Sequence, residues 1–246
     1  MNRMCCMLLI AASTFIGACA STSGPPEDPY ALFRELMPRS ILILPPINES
    51  VDLNASYSWL TTASRPVAEK GFYVFPVAVI DEFMKENGLP NPEDMHAAPL
   101  NKFGEIFGAD AVMYVTIEEF GQKFELLQSV TRVTTRAELL DVKTGRVIWS
   151  DRLAYADTNT NNSSGGLLGA LVTAAVAQVS ESLADAPHDA SRIANQQLFT
   201  SGRSGLLLGP KHPGFEEQMR LAAIQAEESG AAANEAAASE ADVPVE

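Results

Sequence analysis

Cysteine is almost missing from this chain. Of 246 residues only Cys5, Cys6 and Cys19 are cysteine, and none follows. Beyond residue 19 this excludes internal disulfides, thiol nucleophiles and thiolate metal sites. Histidine is nearly as scarce. His96, His188 and His212 lie far apart in loop-like or terminal positions, and none has a second ligand at metal-binding spacing on one element. They read as surface or turn histidines, with no metal and no cofactor. Phosphate-cradling G-x-x-x-x-G-K-[ST], dinucleotide G-x-G-x-x-G and the G-x-S-x-G nucleophile elbow are all lacking; SGRSG misses the last by one position. Positive charge is in deficit, with 17 Lys and Arg against 31 Asp and Glu, a formal net charge of −14. Such a surface suits neither nucleic acid nor electrostatic adhesion to anionic lipid.

A membrane-spanning run is also lacking. The first apolar stretch, Met4 to Ile16, is about 13 residues, short of the ~20 a transmembrane helix needs. With Arg3 before it and small residues after it, the segment is laid out as a secretory signal peptide over residues 1–18. It ends in Ile16-Gly17-Ala18-Cys19, which resembles a bacterial lipobox with Cys19 as the residue to be lipidated. Acyl chains on one residue give firm anchoring, each buried methylene adding roughly 0.8 kcal/mol. Cys5 and Cys6 then leave with the signal. Ala20 rather than Asp follows the cysteine, which by resemblance to enterobacterial sorting implies the outer membrane, on its periplasmic face.

The rest of the chain divides by composition. Residues 19–38 begin with the Ser-, Gly- and Pro-rich STSGPPEDP and read as a lipidated tether. Residues 227–246 are low in complexity, acidic and without aromatics, which predicts a disordered tail. Residues 39–226 are long enough for one domain with a real core.

Within that domain the apolar pattern alternates strand and helix. Ile41 to Leu44 is a continuous run stopped by Pro45-Pro46, as in a strand buried on both faces. Pro66 is expected to open a helical turn that Gly71 ends, and Phe72 to Phe75 read as a second strand. VAVIDEFMKENGL sets Val77, Ile80, Phe83 and Met84 on one helical face, with Asp81 and Glu82 on its wet side. In the next helix Leu100, Phe103, Ile106 and Phe107 supply the buried face and Gly108 the stop. A third strand begins at Ala111. VTRVTTRAELLDV and VIWSDRLAY, joined through Gly145, predict a hairpin. HDASRIANQQLFTSG reads as a helix following an earlier one, and GFEEQMRLAAIQAEE as a last helix. The fold class is therefore α/β, a single three-layer domain with a mixed sheet: parallel crossover units first, antiparallel hairpins after, then C-terminal helices.

The stretches SILILPPINES, RPVAEKGFYVFPVAVIDEFMKENGL, EIFGADAVMYVTIEEFG, ELLDVKTGRVIW and LLLGPKHPGF together resemble a family of bacterial outer-membrane lipoproteins of unassigned function. That family is distantly similar to the N-terminal domain of TolB and to the curli-secretion lipoprotein CsgG. The resemblance implies a periplasmic α/β module tethered to a membrane, and it brings no catalytic residues.

Candidate sites are few. Glu118 and Glu119 are adjacent on a strand, where neighbours point to opposite faces and cannot act as an acid–base pair. Arg132, Thr134, Arg136 and Glu138 share one strand face, wrong for a barrel wall in lipid. Two stretches could contact partners: the small-residue run containing Gly165 and Gly169, and the loop containing Leu206 and Leu207. The expected function is a non-enzymatic, lipid-anchored module that binds protein partners in envelope assembly or secretion. Alternatives are a subunit of a CsgG-type oligomeric secretion complex, hence a homo-oligomer, and an envelope-polymer hydrolase.

Overall fold

Ser40–Ile43 forms β1, and its register explains the unbroken apolar run. Ile41 and Ile43 enter one core cluster, Leu42 and Leu44 the other, so the strand is buried on both faces. Pro45 and Pro46 lack the N–H that pairing needs. Pairing resumes at β2, Ile47–Asn48, against the same neighbour further along. The computed structural model describes residues 28–125, 128–158, 181–202 and 204–241.

The remaining strands are β3 (Tyr73–Val74), β4 (Ala111–Glu125), β5 (Gln128–Asp141) and β6 (Val147–Thr158). Their order is β3-β1-β4-β5-β6, with β2 beside β4. β1 runs parallel to β3 and β4, while β4, β5 and β6 form an antiparallel meander. The sheet is mixed as its sequence predicts. Gly145 turns the β5–β6 connection at φ +69°.

Helices cover the sheet unequally. α1 (Ala31–Leu36), α2 (Ala55–Glu69) and α6 (Glu181–Thr200) lie on one face. Trp59 of α2 meets Phe199 of α6 edge to face, centroids 6.2 Å apart. Thr62, Ser191 and Asn195 join the same two helices through buried hydrogen bonds of 3.2 and 2.8 Å. On the other face α3 (Val77–Glu86), α4 (Pro92–Ala97) and α5 (Leu100–Phe107) bury Ile80, Met84, Met95 and Phe103 against Leu42, Leu44 and Val112. These three short helices sit over the parallel strands, and the far part of the antiparallel meander keeps an uncovered polar face.

Several boundaries differ from the sequence reading. α1 falls inside the segment read as tether, and its Phe33 is fully buried beside Phe72. Pro66 lies within α2 rather than opening a turn, since packing of Trp59, Ala63 and Val67 on the sheet outweighs the lost hydrogen bond. α6 is continuous through Pro187. α7 runs Phe215–Ala241, so residues 227–241 are helical where disorder is expected. Ala and Glu carry high helix propensity, and residues 225–231 are exposed along this helix.

The chain separates into two units, residues 29–224 and a second made of 1–28 and 225–246. The first holds the whole sheet. Of the second, Asp28 and the distal part of α7 are described. Cys19, Gly165 and Gly169 lie outside the described residues. Among the described residues no helix is long and apolar enough to cross a membrane.

Candidate functional site

An open groove lies where three short helices meet. α3 ends at Asn87-Gly88, Asn91 caps α4 by accepting a hydrogen bond from the Asp94 amide (2.8 Å), and Pro99 starts α5. These boundaries divide the segment into three short helices of 10, 6 and 8 residues. Between them remains a groove of about 480 Å³. Its floor is Met84 and Phe103, and its walls include Phe83, Leu89, Ala97, Ile106 and Phe107. Phe83 and Phe107 stack edge to face at 5.0 Å, and Phe75 extends the aromatic row at 6.5 Å from Phe107. Ile106, expected in the buried face, is 55 % exposed at the groove's edge.

Two charges line this apolar hollow. Lys102 is already taken by Glu105, Nζ to Oε2 at 2.5 Å, and the contact with Lys102 holds the Glu105 carboxyl below its ordinary range. Asp94 has no cation partner among the described residues. The arrangement holds no nucleophile beside a base. Its lining is suited to apolar side chains, with one acidic group beside them.

A smaller hollow of about 210 Å³ lies nearby, lined by Pro45, Leu53, Tyr57, Asp81, Lys85 and Pro92 among others. Asp81, expected on the wet side of α3, is largely buried and accepts from Lys85 Nζ at 2.7 Å. Lys85 also donates to Tyr57 Oη (2.9 Å), and these bonds raise its pKa above the ordinary lysine value.

The histidines do not converge. His96, on α4, is half-buried with Nε2 2.9 Å from the Pro45 carbonyl and its ring edge to face with Tyr114. Burial lowers its pKa. His188 Nδ1 faces Ser58 Oγ at 3.3 Å on the opposite side of the sheet. His212 Nδ1 accepts from the Gly214 amide. Among the described residues no group of three metal-ligating side chains occurs.

Glu118 and Glu119 overturn the simple alternation expected of them. A bulge after Ile117 pairs Ile117 with Thr135 but Glu119 with Thr134, leaving Glu118 as the extra residue. Both carboxylates therefore face the uncovered side of the sheet. Glu118 accepts a forked contact from Arg152 (3.0 and 2.6 Å), Glu119 accepts from Lys123 (2.7 Å), and these bonds hold both carboxyls below their ordinary range. With each anion matched to its own cation, neither is poised to move a proton.

The loop containing Leu206 and Leu207 packs on the domain. Leu206 is buried in the core, 2 % exposed, and Leu207 packs half-buried against the same cluster. The loop closes on the body through Gly209 N to Lys70 O (2.7 Å) and Lys211 N to Gly71 O (3.2 Å). Sequence reasoning missed the groove. The available signal was a run of three helices, each opened by proline within a few residues, carrying more apolar side chains than one face can bury.

Comparison with known proteins bears on most of the chain. The family described as Putative lipoprotein GNA1162-like matches residues 28–211. The Putative lipoprotein NMB1124/NMB1162 of Neisseria meningitidis serogroup B is 41 % identical over 213 residues, 86 % of this chain and 97 % of the relative. The crystal structure of lipoprotein GNA1162 from Neisseria meningitidis is 44 % identical, covers 58 % of this chain and 99 % of its own, and superposes with a TM-score of 0.48. A PelC dodecamer from Paraburkholderia phytofirmans is 15 % identical over 65 % of this chain and 86 % of its own, with a TM-score of 0.41.

Proposed function

Since the chain belongs to the GNA1162-like lipoprotein family, we propose that it is a lipid-anchored, non-enzymatic docking module of the bacterial outer membrane. Cys19 carries the lipid, the body faces the periplasm, and the groove between α3, α4 and α5 receives protein partners in envelope assembly or secretion. The observation that carries this reading is the groove itself. A solvent-open hollow with Phe83, Ile106 and Phe107 at its walls leaves apolar surface uncovered, and covering it is worth roughly 25 cal/mol per Å². The paired charges elsewhere and the separated histidines supply no competing chemical centre.

Two measurements test it. Labelling with a palmitate analogue is expected to mark the native chain and not Cys19→Ser, which should leave the membrane fraction. A photo-crosslinking residue in place of Ile106 should give a discrete adduct in living cells, and the same residue at exposed Glu138, on the open sheet face, should not. Equal labelling at both positions, or none at Ile106, defeats the docking reading.

A further inference from the structure

The groove's charges say what kind of segment it takes. Its lining is apolar except for Asn87, Asp94 and Lys102. The one lining cation is neutralised by Glu105, so Asp94 is the lining charge left without a counter-ion among the described residues. Glu86, exposed beside the lining Asn87 at the end of α3, is a further acid next to the lining. An occupant that buried its apolar side chains here and carried no cation would leave Asp94 uncompensated. One that carried an acid would meet repulsion from the exposed Asp94 carboxylate at the groove's edge.

This argues against a second copy. The exposed apolar residues of α7, Leu221 and Ile224, are the chain's own candidate for a helix to lie in the groove. They share α7 with Glu216, Glu217, Glu227 and Glu228 and a single Arg220. Two molecules of net charge −14 would bring acid against acid.

We infer that the groove binds an amphipathic helix of a partner protein whose apolar face is flanked by lysine or arginine, the cation settling against Asp94. This rests on the docking reading above and narrows it to a partner class. Helix-in-groove recognition needs an apolar hollow for side chains at i, i+3/i+4 and i+7 and a charged edge to fix direction. Phe83, Ile106 and Phe107 supply the first and Asp94 the second.

The probe is a pair of synthetic 14-residue helices with one shared leucine face, flanked by lysine in one and glutamate in the other. Binding to the full lipidated chain in neutral detergent is followed by fluorescence anisotropy. The lysine helix should bind at least about fivefold more tightly than the glutamate helix, the scale of one exposed ion pair. Asp94→Lys should invert the order. Ile106→Asp, at a half-exposed position that leaves the core intact, should abolish binding of both. Equal affinity of the two helices, or an order unmoved by Asp94→Lys, overturns the charge selection, as does failure of both helices to bind. The docking reading is judged separately, by the adduct at Ile106, so the two can fail independently.

Discussion

The seating of the 209–214 loop on Gly71 gives a prediction whose size can be worked out. Gly71 has φ +92°, in the left-handed region that costs a side chain about 1–2 kcal/mol. A Cβ there would also stand 2.4 Å from the His212 amide nitrogen and 2.7 Å from its Cβ, inside any contact that real atoms tolerate. Overpacking of this kind adds about 1–3 kcal/mol. Gly71→Ala should therefore cost about 2–5 kcal/mol in total, on the order of 10 °C in Tm for a chain of this length. Gly88 is the control. Its φ is +85°, yet nothing lies within 4 Å of the place its Cβ would occupy. Gly88→Ala should show the conformational cost alone, about 1–2 kcal/mol. Thermal unfolding followed by the fluorescence of Trp59 and Trp149, which both lie near Phe199, reads both variants. If Gly71→Ala is no less stable than Gly88→Ala, the loop does not rest on residue 71 and the contact argument fails.

Three further outcomes are expected. Burial sets the folded pKa of half-buried His96 below the ordinary ~6.5 of the unfolded chain. Protons thus favour unfolding: its contribution is complete above ~pH 6.5 and is lost as pH falls from there toward the depressed folded value. His96→Gln keeps a donor for the Pro45 carbonyl without titrating, so its urea midpoint should change less than the native chain's between pH 8 and pH 5; parallel curves would refute this. Asp110 Oδ2 accepts from the Arg39 and Ser40 amides and from Ser40 Oγ at 3.0–3.1 Å, tying the start of β1 to the residue before β4. Asp110→Ala should cost about 1–3 kcal/mol by orphaning these donors, and an unchanged urea midpoint would contradict it. Glu118→Gln breaks a contact whose Arg152 partner is 57 % exposed, so its cost should stay under about 1 kcal/mol; a larger loss would mean the open sheet face bears on the core.

Much of the fold was legible because local chemistry and tertiary placement agree. The run Ile41 to Leu44 could only suit a strand covered on both sides, and both core clusters draw on it. Gly108 and Gly145 sit at positive φ where the pattern of apolar residues breaks. Other features depend on contacts remote in sequence. Phe33 belongs to the core because Phe72, far along the chain, meets it edge to face, and nothing in EDPYALFRELM specifies that. The β4 bulge, which brings Glu118 and Glu119 to one face, breaks a period-2 pattern without glycine at the extra residue. The groove was hidden for the opposite reason. Periodicity marks which side chains of a helix turn inward, but not whether three short inward faces meet without a gap.

The uncovered part of the sheet and the groove leave two surfaces that could meet a partner, and their charge states separate them. On the sheet, Glu118 is matched by Arg152 with Arg136 4.0 Å away, and Glu119 by Lys123. A partner there would have to break ion pairs that water already serves well, gaining little. In the groove the solvent-facing material is aromatic and aliphatic, and the unmatched group is a single carboxylate. Removing such surface from water is favourable without any pair being broken, and a cation brought with it meets Asp94 rather than displacing another cation. The bulge supports this division. By drawing both glutamates onto the open face beside their cations, it lets that side of the meander be satisfied by its own residues, whereas over the parallel strands, between α3 and α5, apolar surface is left uncovered.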